Sequence, residues 1–379
     1  MKCPRCMNED PSWFYHGING WYCRRCIGFG RVMIEEEKEP VSLSEISDEA
    51  EEYVLKYPLT PAQEEVSDLC CKTIREKDVL IHAVCGAGKT EIVMKTIADY
   101  LKRGERVCFA IARRQVVLEV AERLSGYFQN ARVIPVCGGH TDVTDGDLIV
   151  CTTHQLYRYH KTFDLLILDE PDAYPYRGSD LLAAISKNSC RGHTIYLTAT
   201  PDETMWKRIE EGTLIRLTLN KRPHGHPVIV PQIVTAPLFF LRIILLRWLI
   251  QNSDRPRIVF VPSIRMAQQM RKILSLFLPC SVCTSKTEDR DQVIADFRKE
   301  ENGIIIATTV LERGVTIPHA DVCVFNADSR IFDEAGLIQM AGRAGRDFND
   351  PYGKVLFLCS EKSDLCFHCV RTIEEANAS

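Results

Sequence analysis

Apolar and polar positions alternate along this chain in two textures. VLIHAV (79–84) is an apolar run of strand length broken only by His82, and in CGAGKTEIVMKTIADYL (85–101) the apolar positions recur at the helical spacing. Together they predict strand, glycine turn and helix. LLILDE (165–170) predicts a second buried strand, apolar until two acids at its carboxyl end, and GIIIATT (303–309) a third that ends in polar groups. The most apolar stretch, LFFLRIILLRWLI (238–250), predicts a buried helix opening a second large domain, since it is too short to span a bilayer and carries Arg242 and Arg247. Buried strands joined by helices imply an α/β protein built on parallel sheets.

Composition bounds the number of such units. With 379 residues, 45% hydrophobic and 26% charged, the chain can bury two ordinary cores and a small appendage. A net charge of −4 excludes coating of nucleic acid by bulk charge, so any basic surface is local. The first thirty-one residues supply one, with Lys2, Arg5, Arg24, Arg25 and Arg31 against Glu9 and Asp10. MKCPRC has no apolar stretch behind a basic start, and a cytoplasmic protein is expected.

The seventeen cysteines then point to thiols or metal rather than disulfides. Cys3-x2-Cys6 and Cys23-x2-Cys26 form two knuckles, and a hairpin of short aromatic strands around Asn19-Gly20 would bring them together. Four thiolates suit a closed tetrahedral Zn²⁺ site that holds a piece too small for its own core, a ribbon expected to unfold by itself when the metal is lost. Cys280/Cys283 fall on a strand, where positions three apart face opposite ways, and Cys366/Cys369 share one face of a C-terminal helix; burial accounts for both pairs. Trp13, Tyr15, Trp21 and Tyr22 either stack on bases or pad the ribbon. The acidic stretch EEEKEPVSLSEISDEAEE (35–52) reads as a solvated linker or short helix.

The glycine turn carries chemistry. Cys85, Gly86, Ala87, Gly88, Lys89 and Thr90 lie where a helix begins, so backbone N–H groups can cradle phosphate, Lys89 can reach its outer oxygens and Thr90 can ligate Mg²⁺. Ala83 stands where the phosphate-loop pattern has its first glycine. Such a turn needs an acid on another strand for Mg²⁺ and a second group to orient water, and Asp169 and Glu170 supply both. A GTPase would carry an acid in Asn220-Lys221-Arg222-Pro223 to read guanine, and it has none. In QMAGRAGR (339–346), Arg343 and Arg346 fall three apart on one face, placed to reach a γ-phosphate.

Eight motifs in order, LTPAQ (59–63), AVCGAGKTE, ARRQVVLEV (112–120), TTHQL (152–156), DEPD, TAT (198–200), ATTVLERGVT and QMAGRAGR, resemble those of superfamily 2 helicases and translocases. The resemblance implies two RecA-like domains with ATP and Mg²⁺ between them and a nucleic-acid strand across their top. The ribbon, DEPDAYPY, KRPHGHP (221–227), TEDR (287–290) and LERGVT make the set similar to the ComFA family of late-competence ATPases. That likeness implies a motor on single-stranded DNA, peripheral at the inner face of the membrane near the DNA channel, with ComFC and DprA as partners; assembly of the chain with itself stays open. The domains expected are a ribbon (1–30), an acidic linker (31–56), a first motor domain (57–222), a linker (223–237) and a second motor domain (238–379).

Carried over by motif, Gln63 would read adenine and Gln339, Arg343 and Arg346 would sense the γ-phosphate, with Thr198 and Thr200 coupling it to DNA. Arg113, Thr153, His154 and Thr309 would touch the DNA backbone. Two departures stand out: Thr316 where many relatives have aspartate, and Met340 where an arginine is common. The rival readings are a replication-restart helicase of the PriA type, a resemblance that predicts a large N-terminal DNA-binding region and clustered cysteines inside the second motor domain, neither of which is read in this sequence, and a non-enzymatic DNA-binding scaffold.

Overall fold

The computed structural model describes residues 1–35, 41, 43–312, 317–347 and 350–378. The chain divides into two compact units, Met1–Ala83 with Gly88–Leu219 and Val84–Ala87 with Asn220–Ser379.

In the first unit a hairpin of β1 (Phe14–Gly17) and β2 (Gly20–Cys23) precedes the main sheet. Its two-residue turn is Ile18-Asn19, one position before the expected dipeptide, and Gly20 follows it at φ 107°, a conformation that favours glycine. The sheet contains β3 (Asp78–Ala83), β4 (Val107–Ile111), β5 (Val133–Val136), β6 (Leu148–Thr152), β7 (Phe163–Asp169), β8 (Cys190–Thr198) and β9 (Leu214–Leu219). All pairings are parallel, in the order β5-β6-β4-β7-β8-β3-β9. The apolar runs are the buried strands: Leu165, Leu166, Ile167 and Leu168 are all at most 1% exposed.

The ribbon is not a free-standing piece. Its four cysteines, Phe14 and Val32 share one apolar cluster with Leu156, Tyr159, Phe163 and Ile185 of the motor. Asn188 donates to the carbonyls of Pro4 at 2.6 Å and Arg5 at 3.1 Å. Phe29 stacks on Tyr157 at 5.2 Å, and the Arg5 guanidinium lies 5.4 Å from the same ring. A segment this small gains more by covering an apolar motor surface than by standing on a tether.

The acidic stretch differs from a solvated linker for the same reason. Residues 36–40 and 42 lie outside the described residues, but Ser44 bonds Asp145 and the Ser47 hydroxyl donates to Asp147 at 2.7 Å. Burial alone would push the Asp147 carboxyl up; the Arg132 side chain and backbone N–H, with Ser47, hold it below its ordinary value.

The second unit contains β10 (Gln232–Thr235), β11 (Arg257–Phe260), β12 (Ser281–Cys283), β13 (Ile304–Ala307), β14 (Asp321–Phe325) and β15 (Val355–Cys359). They form another all-parallel sheet, ordered β10-β15-β14-β11-β13-β12. The segment read as an inter-domain linker therefore includes an edge strand, β10, paired with β15. Helix Leu238–Gln251 buries Leu241, Leu245 and Leu249 against this sheet, but Phe239, Phe240, Ile243 and Ile250 face out, so it is buried on one side only. Among the described residues no helix is long and apolar enough to cross a membrane.

Candidate active site

Strand order brings the phosphate turn and the acids to one edge. β3 and β7 flank β8, and the register sets Ile81 and Asp169 both opposite Leu197, level at the carboxyl ends where open α/β sheets bind ligands. After β3 the chain turns through Gly86 at φ 83° and Gly88 at φ 77°, both in the left-handed region that glycine enters without strain. The helix that follows is interrupted at Val93, giving Lys89–Ile92 and then Met94–Lys102, where the sequence had predicted one continuous helix.

Lys89 folds back over the turn, its Nζ 3.4 Å from the Ala83 carbonyl. Thr90 is buried and accepts from Arg123 Nη2 at 2.9 Å. Gln63 is buried at the start of helix Pro61–Thr73, where its Oε1 accepts from the Thr60 N–H at 2.9 Å in a capping box. A Cβ at Gly88 would meet Gln63 Nε2 at 2.6 Å, so Gln63 packs on the phosphate turn itself.

Asp169 ends β7, and Glu170 turns the chain at φ 52°, a region uncommon for a residue with a side chain and frequent at functional sites. The Glu170 N–H donates to Leu197 O at 2.8 Å, which pins the turn to β8. Burial, reinforced by the neighbouring Glu170 charge, pushes the Asp169 carboxyl up to about 7, while Lys89 and Arg123 pull the other way. A carboxyl so enclosed gains from a cation. With the Thr90 hydroxyl it provides the oxygen donors that Mg²⁺ prefers, so the residues present fit that ion.

Two further groups join this edge. Thr198, at the end of β8, and Thr200 just beyond it both donate to Asp172, to which the sequence alone assigns no role. Arg123 was likewise missed, because nothing in its local sequence separates it from an ordinary helical arginine. Arg113 stands at the N-cap position of helix Arg114–Tyr127, where its side chain makes no capping hydrogen bond. In the turn Thr153–Arg158, Thr153 is 2% exposed and its hydroxyl has no partner among the described residues, whereas His154 is exposed and lies 6.0 Å from Phe29 of the ribbon.

In the second unit Gln339 is buried on helix Glu334–Ala341, with its Nε2 unpartnered among the described residues. The two arginines are not on that helix's face as expected. The helix stops at Ala341, and Arg343 and Arg346 follow in a turn that Gly345 makes possible at φ 62°. Arg343 Nε donates to Glu312 O at 3.2 Å and Arg346 Nε to Gly342 O at 3.1 Å. Arg222, also missed, fixes this turn: it is 2% exposed and donates to the carbonyls of Gly342, Ala344 and Gly345. Burial, then the charge of Arg346, lowers its pKa to about 10. Thr309 begins the short turn Thr309–Leu311, and Thr316 lies outside the described residues.

The four ribbon thiols form the metal-ligating cluster found among the described residues, all within 4.8 Å of one another. Cys3 and Cys26 Sγ are 3.7 Å apart, as are Cys6 and Cys23 Sγ. Sulfurs about 2.3 Å from a tetrahedral metal are separated by about 3.8 Å, so the geometry fits. Cys283, Cys366 and Cys369 are buried and Cys280 is half-buried; among the described residues none joins a metal-ligating group.

Two parallel-sheet units, one with a phosphate turn and paired acids and the other with a glycine–arginine turn, define an ATPase of the helicase class. Residues 56–203 match the family model "Type III restriction enzyme, res subunit", and residues 241–347 match "Helicase conserved C-terminal domain". Dbp5 of S. cerevisiae, solved bound to RNA and ADP BeF3, shares the fold of two RecA-like domains at TM-score 0.63 and 18% identity, over 84% of this chain and 91% of that one. The competence protein ComFA of Streptococcus pneumoniae is 35% identical, over 94% of this chain and 86% of its own length. ComFA of Bacillus subtilis is 33% identical, over 99% and 85%. The chain belongs to the ComFA family, and is accordingly a competence-associated, DNA-dependent ATPase of the helicase class.

Proposed function

We propose that this protein is an ATP-driven translocase on single-stranded DNA that powers uptake of transforming DNA, with zinc in the ribbon. Lys89 and the turn Cys85–Gly88 hold the phosphates, Thr90 and Asp169 hold Mg²⁺, and Glu170 orients the attacking water. Gln63 supports the turn and the adenine, while Gln339, Arg343 and Arg346 answer to the γ-phosphate. Asp172, Thr198 and Thr200 pass its state to a DNA track touched by Arg113, His154 and Thr309, while Thr153, expected there from its motif, is buried. Family membership supports a place at the inner membrane face beside the DNA channel, with ComFC and DprA as partners.

The observation that carries this reading is the docking of the ribbon on Thr153–Arg158, through Phe29, His154 and Tyr157. Ribbon aromatics thereby join the expected DNA turn on one unit. Of the four, Trp13 and Tyr15 are exposed and available to bases, whereas Trp21 is packed on the ribbon–motor cluster and serves the ribbon. ATP hydrolysis measured with single-stranded and duplex DNA tests it. Single strands should stimulate more, because stacking needs exposed bases, and Trp13→Ala should raise the DNA concentration for half-maximal stimulation about tenfold. Equal stimulation by duplex would refute it.

A further inference from the structure

Arg123 belongs to none of the motifs, yet its guanidinium is bound into the nucleotide site. It lies near the end of helix Arg114–Tyr127 and donates from Nη2 to Thr90 Oγ1 at 2.9 Å, with Nη1 3.5 Å from Glu91 Oε1. Tyr127, about one turn further on, donates to the same Glu91 oxygen at 3.1 Å. Thr90 is 8% exposed, whereas 42% of the Arg123 side chain is exposed.

A threonine hydroxyl has one proton and two lone pairs. Mg²⁺ takes one of those lone pairs at about 2.0–2.1 Å and demands near-octahedral geometry around itself. A guanidinium nitrogen 2.9 Å from the same oxygen would set a second positive charge within about 5 Å of a metal held there, where the repulsion would be large. Thr90 therefore cannot serve both cations at full strength. Arg123 can leave without becoming a buried orphan, since nearly half its side chain already meets solvent and Glu91 is within reach.

We propose that Arg123 is a stand-in cation that competes with Mg²⁺ for the Thr90 hydroxyl and is displaced when magnesium arrives with nucleotide. This rests on the reading of Lys89, Thr90 and Asp169 as a magnesium–nucleotide site. Bare Mg²⁺ meets a like charge there, whereas Mg²⁺ carried by a polyphosphate brings negative charge that offsets it. Arg123 thus favours loading of the complex over loading of the ion alone, and it sets how much magnesium the site requires.

The test is binding of a fluorescent ATP analogue to the full chain, titrated with MgCl₂ and repeated in EDTA, for the parent, Arg123→Gln and Arg123→Lys. Arg123→Gln should lower the half-saturating Mg²⁺ concentration about tenfold while EDTA-state affinity stays within about twofold, since the lost repulsion acts on the metal. Arg123→Lys keeps the charge at that position and should keep the parent's magnesium requirement. An unchanged or higher requirement in Arg123→Gln overturns the proposal. So does an equal fall in both variants, which would assign the effect to packing rather than charge. If the parent binds no nucleotide, the site reading fails first and takes this inference with it.

Discussion

Thr198 donates its hydroxyl to Asp172 Oδ1 at 2.6 Å, in a site where both side chains are buried. Thr200 donates to Oδ2 of the same carboxylate at 2.9 Å, and its N–H donates to Thr198 Oγ1 at 2.9 Å. One aspartate, two residues beyond Glu170, thereby clamps the end of β8. Asparagine at 172 keeps the volume but presents one donor group to a hydroxyl that needs an acceptor. Asp172→Asn should lower stability by about 1.5–3 kcal/mol, read as a fall in Tm, because a hydrogen bond to a charged group is lost. It should also abolish DNA stimulation while leaving ATP binding intact. Stimulation equal to the parent's would make the clamp purely structural.

The roles proposed for Lys89 and Glu170 differ, and their variants should differ in kind. With Lys89 holding phosphate as proposed, Lys89→Ala would remove a charge-assisted contact and should weaken ATP binding about ten- to a hundredfold. Glu170→Gln keeps the turn and should bind ATP like the parent, while hydrolysis falls by at least about a hundredfold through loss of the group that orients water. Equilibrium binding and phosphate release, measured on the same preparations, separate the two. Equal loss of ATP affinity in both would remove Glu170 from the water-orienting role.

Ribbon and motor share a cluster, so metal loss should not stay local. Cys3→Ser, or a strong chelator, should release the metal and also raise amide exchange across Thr153–Arg158, which loses its cover of Phe29 and Arg5. Asn188→Ala, which keeps all four thiols but leaves the carbonyls of Pro4 and Arg5 without their donor, should cost about 1–3 kcal/mol while metal content stays unchanged. Exchange confined to residues 1–30 after chelation would show instead that the ribbon frays alone.

The strands that form the site were legible because each is a run of apolar residues long enough to be buried on both faces, and the glycine turn and paired acids follow directly on two of them. Residues that act across the fold were not. Arg123 is 33 positions from Thr90 and Asn188 is 184 from Pro4, and each looks like ordinary surface composition until topology brings its partner near. The arginine turn was misread for a local reason: QMAGRAGR keeps helical spacing, but its glycines end the helix at Ala341. Helix Leu238–Gln251 shows the opposite limit, since a stretch apolar at nearly every position, broken by Arg242 and Arg247, gives too little periodicity to tell its buried face from its exposed one.

The place of β3 in the sheet has a consequence for synthesis. This strand, which leads into the phosphate turn, pairs only with β8 and β9, and more than a hundred residues separate Ala83 from Cys190, where β8 begins. At about 5–20 residues per second, the ribosome delivers that first neighbour roughly 5–20 s after β3 itself has been made. Throughout that interval Val79, Leu80 and Ile81 have no strand beside them, while β4, β6 and β7 can already pair with one another. The nascent chain therefore carries an apolar strand without neighbours, a segment suited to chaperone capture, and any message truncated before residue 190 yields a product whose phosphate-binding strand has nothing to join.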